Sequence, residues 1–198
     1  MKKWKCTICS YIHENGEPPE ICPICKVPKE KFVPYSDENI QGVIPRDIEK
    51  RDIPLPGISS FVTKQHLHPI SIHVPNGVLP LAVFFIIAGF FFNNPDFLVV
   101  ARYNMIAVLL FMPFVIFTGL VSWQYKYKGV MTKLFKTKIY CSYVALGASL
   151  LSVGINAYYP PEGDRTVLYY IFYIILHAIL LGVTGWAGFL GGKLVFKK

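Results

Sequence analysis

The sequence predicts a small metal-stabilised knuckle domain followed by an all-α membrane domain of four transmembrane helices. Three observations carry this prediction. Two Cys-x-x-Cys pairs lie near the start of the chain, 53% of the residues are hydrophobic with a mean hydropathy of +0.42, and four apolar stretches each approach the ~20 residues that cross a bilayer as helix. We therefore predict a metal domain at 1–33, a linker at 34–65 and a membrane domain at 66–198.

The knuckle is predicted from the two cysteine pairs. Cys6 and Cys9 form the first pair, and Cys22 and Cys25 form the second after a short, turn-rich segment. Two such pairs can bring four thiolates to one tetrahedral point, which is how proteins hold zinc or a single iron. Because so short a unit buries little apolar surface, the metal must contribute much of its stability. The spacing favours a metal site over disulfides and hence a reducing compartment, while Cys141 stands alone in an apolar run.

The four transmembrane helices are predicted from apolar length. Their expected positions are 70–92, 99–123, 139–158 and 167–190. Glycines recur every three to four residues from Gly182 to Gly192 on the last span, which we interpret as a close helix-packing face. In the linker, scattered prolines and mixed charge predict a segment that lies along the membrane surface, with a short interfacial piece at 58–62.

The distribution of charge predicts the orientation. Residues 1–65 carry ten Lys/Arg against nine Asp/Glu, whereas residues 66–198 carry ten against three. The basic excess lies beside apolar runs, so it indicates membrane topology and not nucleic-acid binding. Five lysines fall in the connector 124–138, whereas the connectors 93–96 and 160–165 hold one basic residue between them. By the positive-inside rule we expect a multi-pass protein of the inner (cytoplasmic) membrane with both termini cytoplasmic.

The cysteine region closely resembles the rubredoxin-like domain found at the C-terminus of rubrerythrins. Besides the four cysteines, the likeness includes a Pro-Lys-x-x-Phe tail at 28–32 and the residues Tyr11, His13, Glu20 and Pro23. The resemblance implies one iron held by Cys6, Cys9, Cys22 and Cys25, which cycles between the ferric and ferrous states as a one-electron carrier.

Two points qualify that resemblance. Ser10 stands where the family usually has glycine, and if the position needs a positive φ the serine is strained. Thiolates also bind iron and zinc in the same tetrahedral geometry, so the ligands alone leave zinc as the alternative metal.

Histidines in the membrane half are candidates for a second cofactor site. His68 and His73 open the first span, and His177 lies within the last one. Ionisable residues at membrane depth are costly and suggest function, and neutral imidazole is a common haem ligand. We therefore predict a haem b or quinone site that involves His68, His73 and His177.

The depths of His73 and His177 in the membrane argue against a single haem bound by both. His73 lies ~6 Å inside the cytoplasmic edge of its span and His177 ~20 Å inside, at 1.5 Å per residue. The two could bind one haem only if proline breaks lower the first span into the membrane. Otherwise each histidine serves a separate site, with the opposite position taken by His68, Met105, Met112 or no protein group.

A second resemblance covers about two thirds of the chain and rests on short motifs. Residues 68–75 are His-Pro-Ile-Ser-Ile-His-Val-Pro, 119–123 are Gly-Leu-Val-Ser-Trp, and 191–196 are Gly-Gly-Lys-Leu-Val-Phe. These motifs are similar to those of an uncharacterised family of four-helix bacterial membrane proteins that is suspected of redox or haem-related roles. The chain departs from that family at 140–143, where a histidine is common and Tyr-Cys-Ser-Tyr stands instead.

Together these patterns predict a membrane-anchored electron-transfer protein. Single electrons would pass from a soluble cytoplasmic reductase or another donor, through the four-cysteine iron centre, to a haem or quinone site among the membrane helices. We expect a carrier or a subunit of a membrane oxidoreductase rather than a stand-alone enzyme, since the sequence shows no nucleotide-binding loop and no catalytic triad or carboxylate pair. Membrane lipid is the other expected partner, and a homo-oligomer stays open.

Two further classes remain open from the sequence. One is a zinc-ribbon membrane protein with a sensing or assembly role, and the other is a transporter whose histidines bind substrate or metal.

Overall fold

The computed structural model of the chain describes residues 3–14, 16–35, 57–159 and 166–196. Within these residues a small three-stranded sheet is followed by six helices. Most of the predicted linker lies outside the described residues.

The knuckle is built on an antiparallel sheet with the strand order β2-β1-β3. The strands are β1 at Lys3–Cys6, β2 at Ile12–His13 and β3 at Phe32–Tyr35. Trp4 pairs with His13 on one side and with Pro34 on the other. Proline is tolerated in β3 because this strand has a partner on one side only among the described residues. Strands this short are marginal alone, so the cysteine cluster at their ends has to hold the unit together.

Six helices follow the knuckle. They are α1 at Gly57–Lys64, α2 at Leu67–Ser71, α3 at His73–Phe92, α4 at Pro95–Lys126, α5 at Lys133–Tyr158 and α6 at Val167–Phe196. α2 and α3 together form the first span. Each of the four spans is long and apolar enough to cross a membrane, with mean hydropathies of 1.4 to 2.4 over 18 residues. The predicted combination of a cysteine knuckle and four transmembrane helices is thus confirmed.

The helices on either side of the lysine-rich connector are longer than predicted. α4 continues to Lys126 and α5 begins at Lys133, so only residues 127–132 join them. A lysine can lay its aliphatic stem along apolar surface while its ammonium group reaches water. Lys126, Lys133, Lys136 and Lys138 therefore belong to helices and not to the loop between them.

Local sequence fixes the turn at the other end of the bundle. Asn93 closes α3 in the left-handed conformation with φ 47°, and Asn94 caps α4 by accepting a hydrogen bond from the backbone N–H of Asp96 at 2.9 Å. Pro95 begins α4, where a backbone N–H has no partner to lose. Gly89 allows the two helices to approach, because a Cβ there would lie 3.1 Å from Cγ of Leu98.

The four spans form a ring in which α4 packs between α3 and α5, and α6 packs between α5 and α3. A middle core cluster includes Leu79, Met105 and Leu180, and a second cluster nearer the α3–α4 turn includes Ile86 and Tyr173. α1, which contains the predicted interfacial piece, packs against α4. We call the end of the bundle with the connector 127–132 the knuckle end, and the end with the α3–α4 turn the far end.

Candidate metal centre and adjoining cavity

The four predicted metal ligands converge at one point. Sγ of Cys6 lies 3.7 Å from Sγ of Cys25, Sγ of Cys9 lies 3.7 Å from Sγ of Cys22, and all four sulfurs lie within 4.8 Å of one another. These distances are far too long for disulfides, which need about 2.05 Å. A tetrahedron with metal–sulfur bonds of about 2.3 Å has edges of about 3.8 Å. The cluster therefore fits one tetrahedral metal ion.

Two equivalent turns position the sulfurs. In each turn the residue after the second cysteine donates its backbone N–H to the carbonyl of the first, from Ser10 to Cys6 at 2.9 Å and from Lys26 to Cys22 at 3.0 Å. Both residues adopt the left-handed conformation, with φ 59° for Ser10 and 63° for Lys26. The turn thus does need a positive φ, and Ser10 carries the strain expected of a non-glycine residue there.

The thiols act on one another and on the backbone around them. Hydrogen bonds from Cys25 and Cys6 hold the pKa of Cys22 well below its usual range, and the same contact with Cys22 raises the pKa of Cys25. The backbone N–H groups of Tyr11 and Val27 face the sulfurs of Cys9 and Cys25 and favour their thiolate forms. Donors aimed at the sulfurs stabilise the extra negative charge of four thiolates, and in thiolate-bound iron centres they tune the reduction potential.

The knuckle packs on the knuckle end of the membrane bundle. One buried cluster joins the four cysteines to Tyr127 in the α4–α5 connector, to Leu134 and Phe135 at the start of α5, and to Leu194 near the end of α6. The Tyr127 and Phe135 rings lie 5.0 Å apart. Burial raises the pKa of Tyr127 to about 12, and the thiolates of Cys9 and Cys25 add to the shift. The phenol is therefore uncharged at neutral pH and lies close to the metal site.

A cavity of about 490 Å³ lies beneath this contact, and Tyr127 lines it as well. Its walls come from all six helices, and they are mostly apolar. The groups with ionisable or ring nitrogens that line it are His66, His68, His73, Lys126 and Lys138, together with the indole of Trp123. None of the described residues that line it is acidic. The buried cluster around the metal site and the cavity thus share Tyr127, Phe135 and Leu194.

His68 is held on one wall of this cavity. Its Nδ1 lies 3.4 Å from Oγ1 of Thr118, which also lies 3.1 Å from Oγ of Ser71. The ring lies against Gly119, since a Cβ there would come within 2.9 Å of Cε1 of His68. Any larger residue at position 119 would therefore displace the imidazole of His68 from its place against α4.

Lys138 is held on another wall. Its Nζ lies over Gly191, where a Cβ would come within 3.3 Å of it. No carboxylate among the described residues pairs with this ammonium group.

The glycines of α6 do not share one environment. Gly188 and Gly191 line the cavity, whereas Gly182 and Gly185 are exposed with nothing near their Cβ positions. Within this chain the predicted glycine packing face is thus divided between a cavity wall and an exposed surface.

The structure places His177 outside this cavity. It is fully buried between α5 and α6, and it does not line the cavity. Its Nδ1 lies 2.8 Å from the carbonyl of Tyr173 and must donate to it, so Nε2 accepts from the hydroxyl of Ser152 at 3.1 Å. Tyr173 in turn contacts Ser152 at 3.0 Å and accepts a hydrogen bond from Asn156. Both ring nitrogens of His177 thus have protein partners.

The predicted histidines are therefore only partly brought together. His68 and His73 line one cavity, with His73 exposed and His68 half-buried, while His177 lies in a separate network nearer the far end. Sequence reasoning missed Tyr127, Lys138 and Gly119. In the sequence, Lys138 is one of the five connector lysines that indicate topology. The motif Gly-Leu-Val-Ser-Trp does not show which side chain Gly119 contacts.

Fold and site together define a multi-pass membrane protein that carries a four-cysteine metal knuckle. Residues 4–33 match the rubredoxin-like domain of rubrerythrin, and residues 64–198 match the predicted membrane protein family DUF2231. Because the second match covers more than half of the chain, the protein belongs to the DUF2231 family of predicted membrane proteins. The four-cysteine cluster of its knuckle implies a mononuclear metal site, which in rubrerythrin-type domains is typically an iron site.

Two curated relatives share the knuckle. Reverse rubrerythrin-1 from Clostridium acetobutylicum is 50% identical over 38 residues, which are 19% of this chain and 21% of the relative. Rubrerythrin from Nitratidesulfovibrio vulgaris is 50% identical over 30 residues, which are 15% of this chain and 16% of the relative. The chain thus spans about a fifth of the length of these relatives. No solved structure matches it significantly.

Proposed function

We propose that this protein carries single electrons from a soluble donor to an acceptor held in the membrane bundle. The observation that supports this most directly is the position of Tyr127, which packs in the same buried cluster as the four cysteines and also lines the cavity. Electron transfer favours redox sites that are close and separated by packed atoms rather than water. The knuckle end provides such a contact between a metal site and a membrane-embedded cavity.

The metal proposed for the knuckle is iron. The fit to a tetrahedral ion holds for iron and zinc alike, so the choice rests on the likeness to rubrerythrin-type domains. An iron held by four thiolates supplies reversible one-electron chemistry. The chain provides the four sulfurs through Cys6, Cys9, Cys22 and Cys25, and the buried surroundings exclude water from them.

The acceptor proposed is a haem or a quinone in the cavity. His66, His68 and His73 line the cavity, and of these His68 and His73 are the predicted ligands. His177 would have to give up its hydrogen bond from Ser152 before its Nε2 could bind a haem iron. A haem at His177 would therefore cost the buried network one of its bonds, whereas a ligand in the cavity would not.

The orientation proposed places both termini and the knuckle in the cytoplasm. Lys126, Lys128, Lys133, Lys136 and Lys138 cluster at the knuckle end, and that pattern in a bacterial inner membrane favours the cytoplasmic side. The thiols would stay reduced there, and a soluble cytoplasmic reductase could reach the metal site.

Metal analysis and the visible spectrum of the purified full-length protein test this proposal. We expect one iron per chain and a thiolate-to-iron absorption that dithionite bleaches. Cys141→Ser is the matched control, because Cys141 lies on α5 outside the cluster, and it should leave the spectrum unchanged. A colourless protein with one zinc per chain would instead make the knuckle a structural or sensing module.

A further inference from the structure

We propose that the cavity at the knuckle end binds the head group of a membrane quinone, with Lys138 and His68 as the two groups that recognise its oxygens. The role of this site rests on the proposed function, since the quinone would be the acceptor. The cavity is large enough for an aromatic ring with part of an apolar tail, since drug-sized ligands occupy cavities of about 300 to 1,000 Å³.

The first support comes from Lys138. A lysine inside a membrane protein normally pairs with an acid or reaches water, because an unpaired charge in an apolar setting is costly. Lys138 lines a cavity with mostly apolar walls, and no carboxylate among the described residues pairs with it. A ligand with an oxygen acceptor on an apolar body would satisfy its three N–H donors.

The second support comes from the tautomer of His68. Thr118 donates its hydroxyl proton to the backbone carbonyls of Phe114 and Val115, so it can only accept from Nδ1 of His68, 3.4 Å away. Nδ1 therefore carries the proton, and Nε2 is left as an acceptor without a partner among the described side chains. Lys138 can donate to a carbonyl of the oxidised ring. Two successive electrons from the knuckle and two protons from water reduce the quinone to the quinol, whose hydroxyl can then donate to Nε2 of His68. Lys138 thus recognises the quinone and His68 the quinol.

The third support comes from the shape of the walls. Gly119 on α4 lies against the His68 ring, and Gly191 on α6 lies against Nζ of Lys138. The two recognising groups are thus each held close to a helix backbone, on different helices of the cavity wall.

The experiment is photolabelling of the full-length protein in phosphatidylcholine nanodiscs with an azido-benzoquinone, followed by peptide mapping. We expect labels within 119–126 or 138–145, competed by an unlabelled short-chain benzoquinone. Lys138→Met should lower the quinone affinity about tenfold or more, the effect of losing a hydrogen bond from a charged donor. Lys136→Met, on the exposed side of the same helix, should bind as the wild type does.

Gly119→Ala is a second variant that alters no charge. Its methyl group would displace the His68 ring, so it should also weaken labelling while the protein keeps its elution volume in gel filtration. Labels spread over lipid-facing residues, equal affinity in Lys138→Met, or competition by phosphatidylglycerol would each overturn the assignment, the last in favour of an anionic lipid. A Soret band in the purified protein would show haem in place of quinone. Quinone labelling does not depend on which metal fills the knuckle, so it fails or succeeds separately from the proposed function.

Discussion

His68 and His177 are both histidines inside the membrane domain, yet their surroundings differ in kind. His177 is fully buried, and Tyr173 and Ser152 occupy both of its ring nitrogens. His68 is half-buried, has one nitrogen engaged by Thr118, and lines a cavity. Membrane depth alone therefore does not identify a functional histidine. The useful question is whether the protein itself satisfies both nitrogens.

The same contrast extends to the two ends of the bundle. Near His177 the polar groups form a closed chain, in which Asn156 donates to Tyr173 and Ser152 donates to His177. At the knuckle end, the described residues leave Lys138 and Nε2 of His68 with unused hydrogen-bonding capacity beside a cavity. A closed network stabilises a fold, whereas an open one is available to a ligand.

The largest effect is expected from the metal ligands. Cys22→Ser should abolish metal binding, because serine is a poor ligand for the metals that four thiolates select. Metal analysis checks this directly. The bundle should stay folded by circular dichroism, since its helices have their own core clusters. Retention of one metal per chain in Cys22→Ser would contradict the four-cysteine assignment.

The next largest effect is expected at the contact between knuckle and bundle. Tyr127→Ala removes a buried aromatic side chain and should destabilise the docked knuckle by about 3 kcal/mol, as for other buried aromatics. Hydrogen exchange of the amides in 3–35 should then become faster. Tyr127→Phe keeps the ring and serves as the control. Equal exchange in Tyr127→Ala and wild type would mean that the knuckle does not dock through this residue.

A smaller effect on stability should separate the two histidines. His177→Leu removes two hydrogen bonds from a fully buried imidazole, to Ser152 and to the carbonyl of Tyr173, and should lower stability by about 1 to 3 kcal/mol. His68→Leu should have a smaller effect, because its neighbours Thr118 and Ser71 keep each other as partners. Thermal unfolding in detergent measures both. A larger loss for His68→Leu than for His177→Leu would reverse the comparison.

The smallest predicted effect is a gain in the stability of the knuckle. Ser10→Gly should stabilise the metal-loaded knuckle by about 0.5 to 1 kcal/mol, since glycine adopts a positive φ without strain. Thr7→Gly is the control and should not stabilise, because Thr7 does not have a positive φ. Chelator-induced unfolding, followed by tryptophan fluorescence, detects the difference, and a loss of stability in Ser10→Gly would count against the strain.

The cysteine knuckle and the four spans could be predicted because their signals are local. Spacing within each Cys-x-x-Cys pair and the length of an apolar run depend on neighbouring residues in the chain. The helix ends at Lys126 and Lys133 were placed less well, because a lysine near the boundary can belong to a helix as easily as to a loop.

The cavity could not be predicted, because it depends on contacts between distant segments. Gly119 and His68 are 51 positions apart, and Gly191 and Lys138 are 53 apart, yet each pair is in contact. Depth along the spans separates His73 from His177, but the sequence does not show that the protein itself engages both nitrogens of His177. Only the packing of α5 on α6 shows that Ser152 and Tyr173 engage His177.

Single-turnover oxidation of the reduced knuckle by a short-chain benzoquinone, followed by stopped-flow absorbance in nanodiscs, tests the central claim most directly. We predict that the ferric absorption returns after mixing, about tenfold more slowly in Lys138→Met at limiting quinone and at the wild-type rate in His177→Leu. No return of the absorption, or equal slowing in both variants, would contradict a ligand site at the knuckle end and a purely structural role for the polar network near the far end.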